Sequence, residues 1–369
     1  MLETTLLTGP FDCDAALMPR EEFEARIVEV RTMLRERGLA GLVVGGTSPE
    51  HGALGYLTSF VPKLGPALAF MPMDGDMRIV FSGGPAMLPS ARRLMFVEDV
   101  RGLRDAERDF ADWLGETKGT QFALWGEYAI TADVREALER AAPSPLVVLD
   151  DVFDPLRRRK SERELVLIRR ACAILNTARE KFRAAIAEHK GVRTAALAAE
   201  RAAYRQGAQD FRVLASLRDG GTPEPMQAAL DPHVDPLLAC FAVRFAGYWA
   251  EGLFTITAMP NDALAAAKQS LAALVKLIRP GALPLGAIQQ ATKAPGNHYP
   301  HPCAQRNFGN GIGLSRDEPP FLSFEKPEEL REGDVCSIRD GVGAYEPTGN
   351  VIVSAMVRVT ADGAEILFM

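Results

Sequence analysis

The stretch Cys240 to Glu251, CFAVRFAGYWAE, sets a thiol, the rings of Tyr248 and Trp249 and an acid around a Gly247-Tyr248 turn. Apolar Leu253 and Phe254 follow Glu251, so a strand here carries the carboxyl inward. Its pKa rises there, and it can act as a general acid or base. Two later segments belong with it, Phe308 to Pro320 (FGNGIGLSRDEPP) and Gly333 to Gly341 (GDVCSIRDG). Arg339 and Asp340 interrupt an otherwise apolar strand, and a guanidinium so placed can clamp a substrate carboxylate through paired hydrogen bonds. Arg316 and Asp317 lie in a glycine-rich loop that lets backbone approach a ligand closely. His298 and His301 are clustered just upstream, and His301 is a candidate for proton transfer.

Each residue also has a plainer reading. Glu251 and Arg339 can be a structural ion pair, and Arg316-Asp317 a solvated turn. Cys240 has apolar neighbours in Leu237, Leu238, Ala239 and Phe241 and no histidine close in sequence, which suits a buried inert thiol. Tyr248 and Trp249 read as pocket walls, and the two histidines as part of a Pro-rich surface loop.

The elements that position these residues follow from hydrophobic spacing. Residues 20–38 place Phe23, Ile27, Val30 and Leu34 at helical intervals, with Gly38 as a stop. Strands are expected at 39–45, 56–58, 67–71, 77–81, 121–125 and 146–149, with helices near 104–115 and 131–142. This alternation means an α/β layer domain. Residues 151–164 then combine Pro155, a basic block and Ser161 three residues before Glu164, a capping box opening a new helix. The domain boundary is placed here, giving residues 1–154 and 155–369. The second part predicts helices at 161–189, 192–206 and 261–278, and strands at 211–217, 236–246, 253–258, 334–339 and 350–360. That pattern is α+β, helices on a curved, mostly antiparallel sheet.

Composition narrows the function classes. At 369 residues with 47% hydrophobic content, two domains can each bury a core. Forty-two Lys and Arg against forty-eight Asp and Glu leave a net charge of −6 with no long run of one sign, which argues against a nucleic-acid partner. The first twenty residues lack a signal-peptide pattern, and no stretch has the apolar length of a membrane span. Five scattered cysteines without a CxxC pair suit free thiols in a reducing cytoplasm.

The order of these features resembles the creatinase and Xaa-Pro peptidase family, whose catalytic domain has the pita-bread fold. The resemblance covers nearly the whole chain. It runs from ERGLAGLVV and Tyr56-Leu-Thr-Ser-Phe, through RRRKSERELVLIRRACAI, to Gly247-Tyr248, Gly311-Ile-Gly-Leu, Glu318-Pro-Pro, Glu332-Gly-Asp-Val and the closing strand Val351 to Thr360. It implies a creatinase-like α/β N-terminal domain, a pita-bread C-terminal domain and a homodimer. In that family the N-domain can reach a partner's pocket, which makes His51 a remote candidate.

Peptidases of this family hold two divalent metals with two Asp, one His and two Glu. Carried over one position at a time, those ligands fall on Cys240, Glu251, Asn310, Arg339 and, near the end, Ser354, with Asp317 at the position of a further histidine. A guanidinium cannot ligate a cation, and Asn310 and Ser354 are weak neutral donors. The expectation is no catalytic metal and no cofactor. Creatinase cleaves a carbon–nitrogen bond on this fold without metal, but it keeps a histidine and paired glutamates that this chain lacks.

The leading reading is a metal-independent, cytoplasmic enzyme that cleaves or rearranges a carbon–nitrogen or adjacent bond in a small, amino-acid-like substrate with a carboxylate. Glu251, Arg339, Asp317 and His301 would be its catalytic residues, and Cys240, Tyr248, Trp249, Asn310, Asp340 and Ser354 its substrate contacts. Two alternatives stand beside it. One is a non-catalytic protein binding a ligand or partner through the same residues, and the other a metal-dependent Xaa-Pro peptidase with ligands elsewhere.

Overall fold

The computed structural model describes residues 14–282, 299–300, 307–323, 328–343 and 350–369. They divide into two compact units, one ending at Arg157 and the other starting at Arg158.

In the first unit, helix α1 (Arg20–Glu36) buries Phe23, Val30 and Leu34 along one stripe. A mixed six-stranded sheet follows, with β1 (Gly41–Gly46), β2 (Ala67–Pro72), β3 (Arg78–Phe81), β4 (Asp99–Gly102), β5 (Ala123–Trp125) and β6 (Val147–Val148) in the order β4-β3-β2-β1-β5-β6. Helices α2 (Ala106–Glu116) and α3 (Ala132–Ala141) cover one face, where Phe70, Phe110, Trp113 and Phe122 make the aromatic core. One expected strand is a helix: Tyr56-Leu-Thr belongs to the buried turn Gly52–Thr58. A short apolar run has too few residues to show its period, so a strand and a buried helical turn read alike.

In the second unit, α4 (Glu162–Ala187) opens with the expected capping box. Ser161 Oγ accepts from the Glu164 amide at 3.2 Å, and the Glu164 carboxylate accepts from the Ser161 amide at 2.9 Å. Helix α5 (Val192–Arg205) packs beside it. Strands β7 (Asp210–Ala215), β8 (Leu237–Phe245) and β9 (Tyr248–Ile256) form an antiparallel sheet. Ala246 and Gly247, with φ of 46° and 86°, make the tight hairpin between β8 and β9. Positive φ at both central positions matches the strand twist and pins the register.

Helix α6 (Asp262–Leu277), N-capped by the Asn261 side chain, lies against a second antiparallel sheet. Its strands are the two-residue β10 (Tyr299–Pro300), β11 (Asn307–Gly311), β12 (Glu318–Ser323), β13 (Val335–Gly343), β14 (Val351–Thr360) and β15 (Gly363–Phe368). They run in the order β12-β11-β13-β14-β15, with β10 also on β13. The single curved sheet expected is thus two, joined where β9 meets β14. There Thr255 and Ile352 exchange hydrogen bonds of 2.9 and 2.8 Å, and the Leu253 amide donates to Ser354 Oγ at 2.7 Å.

Period-two alternation sorts the side chains of both sheets. Cys336, Ile338, Val342, Val351, Val353, Ala355 and Val357 face α6. Phe241 and Phe254 meet Phe182 of α4. The opposite faces, on which no helix among the described residues packs, carry the polar residues of the site.

Candidate functional site

Glu251 sits in the middle of β9, 5% exposed. Its neighbours fix it in place, since the Glu251 amide donates to Met356 Sδ at 3.3 Å and Gly252 lies so close to Phe368 that a Cβ there would stand 2.5 Å from the ring. Oε1 makes no hydrogen bond with any described residue, and Oε2 lies 4.0 Å from Nε of Arg316. Burial of the carboxyl pushes its pKa up; Arg339 and then the Ser337 hydroxyl oppose the rise, and Asp317 adds to it. Ser337 is near enough to temper the shift, yet its Oγ makes no well-formed hydrogen bond.

Arg339 reaches the same face from β13, where it pairs with Ser354 of β14. Its Nη2 donates to Asn310 Oδ1 at 2.6 Å, while its buried Nε makes no hydrogen bond with a described residue. Asn310, 1% exposed, is held from its other end, with Nδ2 donating to the carbonyls of Gly311 and Arg316 at 2.9 and 3.0 Å. The loop that carries Arg316 and Asp317 is braced from beneath by the buried Lys160–Glu318 ion pair. Glu318 also accepts from the Ser315 amide at 3.2 Å, and a Cβ at Gly313 would lie 2.6 Å from Glu318 Oε1, so a larger residue there would have to displace the ion pair. Arg316 is 43% exposed and Asp317 54%, so the site grades from a buried floor to a solvated rim.

Trp249 stands beside Glu251 on the same face, fully buried, with Nε1 unbonded to any described residue. Trp249 Nε1, Glu251 Oε1, Ser337 Oγ and Arg339 Nε are thus buried polar atoms on one face lacking partners among the described residues. Buried polar atoms are normally paired, so such a concentration marks a place where something polar is received.

The structure therefore brings together Glu251, Arg339, Asn310, Asp317, Arg316 and Trp249. It turns two other expected contacts away, and a third is engaged elsewhere. Asp340 follows Arg339 on the strand and so points the opposite way, toward α6, where Ser270 and the Gly341 amide meet it. Tyr248 likewise faces α4, its hydroxyl donating to Glu164 Oε1 at 3.0 Å. Ser354 does face the site, but its Oγ is engaged by the Leu253 amide. Cys240 is on the Glu251 face of β8, half-buried rather than sealed, whereas burial pushes the Cys172 thiol up to about 12. His51 is fully buried at the start of its helix in the first unit. His298 and His301 lie outside the described residues. Lys160 and Glu318 were not anticipated as a pair: 158 positions apart, they meet only in the fold.

This arrangement of strands and this order of motifs are shared with known proteins. The model of metallopeptidase family M24 matches residues 166–361. The chain belongs to metallopeptidase family M24. Solved structures agree in fold. An X-Pro aminopeptidase from Thermotoga maritima superposes with a TM-score of 0.73 at 17% identity, covering 93% of this chain and 97% of that one. A prolidase from Pyrococcus furiosus gives 0.72 at 19% identity, over 92% and 99% of the two chains. A Xaa-Pro dipeptidase from Bacillus anthracis gives 0.73 at 18%, over 94% and 97%. No curated protein matches the chain. The expected α/β N-terminal domain and pita-bread C-terminal domain are therefore those of this M24 protein.

Metallopeptidases of the family imply a metal pair, and the residues here can be tested against it. Among the described residues no three His, Cys, Asp or Glu side chains group closely enough to hold a metal ion. The resemblance puts ligand positions on Arg339, bonded to Asn310, and on Ser354, engaged by backbone. A fixed cation and neutral oxygens beside one carboxyl do not fit two divalent ions.

Proposed function

We propose that this M24 protein is a metal-independent enzyme acting on a carbon–nitrogen or adjacent bond of a small, amino-acid-like compound with a carboxylate. The observation that carries the reading is the buried Glu251 carboxyl, whose Oε1 makes no hydrogen bond with a described residue, next to an Arg339 set in place by Asn310. Arg339 would anchor the substrate carboxylate with the N–H groups it does not give to Asn310. Glu251, whose pKa burial raises, is the group that takes and returns the proton. In a hydrolytic cycle it accepts a proton from an attacking water as the oxygen bonds to carbon, then passes that proton to the nitrogen as the carbon–nitrogen bond breaks. Asn310 acts through Arg339, and Asp317 and Arg316 guard the rim. His301 remains a candidate for a second proton carrier.

The family resemblance makes a cytoplasmic homodimer part of the same proposal, without nucleic-acid or membrane partners. No helix among the described residues is long and apolar enough to cross a membrane.

The test joins metal content to turnover. Elemental analysis of unchelated protein should give no manganese, cobalt or zinc above trace. A screen of N-substituted amino acids and amidines should then find a substrate that Glu251→Gln no longer converts. One or two metals per chain, with cleavage of Xaa-Pro dipeptides on adding manganese, would overturn the proposal in favour of a metallopeptidase. Tight binding with no product from any compound would overturn it in favour of a ligand-binding protein.

A further inference from the structure

The three-stranded sheet carries arginines that the proposed chemistry does not use. On β7, Arg212 stands opposite Ala242 of β8, and Ala242 stands opposite Glu251 of β9. The three form one row on one face. Ala242, a single methyl group between them, is buried. The next row is Asp210, Arg244 and Trp249.

The Arg212 guanidinium carbon lies 4.7 Å from the centroid of the Trp249 ring, although their strands are not neighbours. Its side chain therefore leans across β8 toward β9, to the ring of Trp249 on the face that carries Glu251. Arg244, buried beneath, supports the same ring from 5.1 Å. A guanidinium stacked on an indole is pre-oriented and gives up little freedom on binding an anion. Arg212 is 45% exposed, and its bond to Asp210 is long at 3.4 Å, so its fork is reachable. The face as a whole sets Arg212, Arg244, Arg316 and Arg339 against Asp210, Asp317 and Glu251. That balance attracts anions.

Glu251 lies between two cationic points. Arg212 is two strands to one side, about 10 Å from backbone to backbone at the usual strand spacing. Arg339 is on the other side, reached through β14. We propose that Arg212, stacked on Trp249, is a second anion subsite, and that the ligand is a small compound with two anionic groups, one held by Arg339 and one by Arg212. This rests on Arg339 being the first anchor, as set out above, and narrows the substrate class to dianionic compounds.

The test is calorimetric titration of the full-length protein with succinate, glutarate, adipate and pimelate, each against the monocarboxylate of the same length. One dicarboxylate should bind about tenfold tighter than its monocarboxylate, the value of one added charge-assisted hydrogen bond. Arg212→Gln should erase that preference while leaving monocarboxylate affinity as it is. Arg212→Lys, which keeps the charge but not the fork, should retain only part of it. Arg339→Gln should weaken both ligand classes. A dicarboxylate preference that survives Arg212→Gln would overturn the second subsite and leave the Arg339 anchor standing. Ligand affinities unmoved by Arg339→Gln would overturn the anchor, and the subsite with it.

Discussion

Nη2 of Arg339 donates to Oδ1 of Asn310 across 2.6 Å, and the Asn310 amide is itself held by two backbone carbonyls. The charge is thus aimed by a neutral side chain that cannot swing. Arg339→Gln should weaken binding of a carboxylate ligand about ten- to a hundredfold, the value of a charged hydrogen bond. Asn310→Ala should cost less, and the double variant should be no weaker than Arg339→Gln alone, because Asn310 acts only through Arg339. Additive losses in a double-mutant cycle would give Asn310 its own ligand contact.

The pH dependence of stability should bear the mark of Glu251. Its folded pKa is raised by burial, above the unfolded value of about 4.3, so between these values the folded state binds more protons than the unfolded one. Stability contributed by the neutral carboxyl is complete below about 4.3 and is lost as pH rises through the folded pKa. Glu251→Gln cannot ionise and should gain stability relative to the wild type as pH rises across that window. Melting temperatures of the two proteins over a pH series check it; parallel curves would mean that the carboxyl is ionised in the fold at no cost.

What the residues alone could say divides along the strand period. The family resemblance, carried by the order of Gly247-Tyr248, Gly309-Asn310-Gly311 and the Arg339 strand, is what grouped Glu251, Asn310 and Arg339, and they share one face. The same alternation, applied strictly, would have sent Asp340 away from Arg339 and Tyr248 away from Glu251. Arg212 was invisible for another reason: a place opposite Ala242 and Glu251 depends on register between strands, which hairpin turns and packing set. Lys160 and Glu318 meet across 158 positions, and neither segment shows the other by spacing.

Asp340 supplies the control for its neighbour. It points to α6, where burial pushes its pKa up against the pull of Ser270 and the Gly341 amide. Asp340→Asn should leave ligand affinity within twofold of the wild type and change stability by about 1 kcal/mol or less, since the amide can keep the Gly341 bond. Affinity measurements on Asp340→Asn and Arg339→Gln side by side separate the two faces of β13. A loss from Asp340→Asn as large as that from Arg339→Gln would place both side chains on one ligand.

The Lys160–Glu318 pair should hold the rim in place from below. Both side chains are almost wholly buried, and Glu318 also takes the Ser315 amide. Removing one partner leaves the other charge buried and uncompensated, which costs about 3 to 5 kcal/mol. Lys160→Met and Glu318→Leu should each destabilise the second unit by that order in chemical denaturation. The double variant should recover much of the loss, because an apolar pair of similar volume needs no charge balance. Its ligand binding should still be impaired, since Ser315 loses its acceptor and the loop with Arg316 and Asp317 loses its anchor. A double variant that is stable and binds like the wild type would show that Gly313 and the Asn310 bonds position the rim unaided.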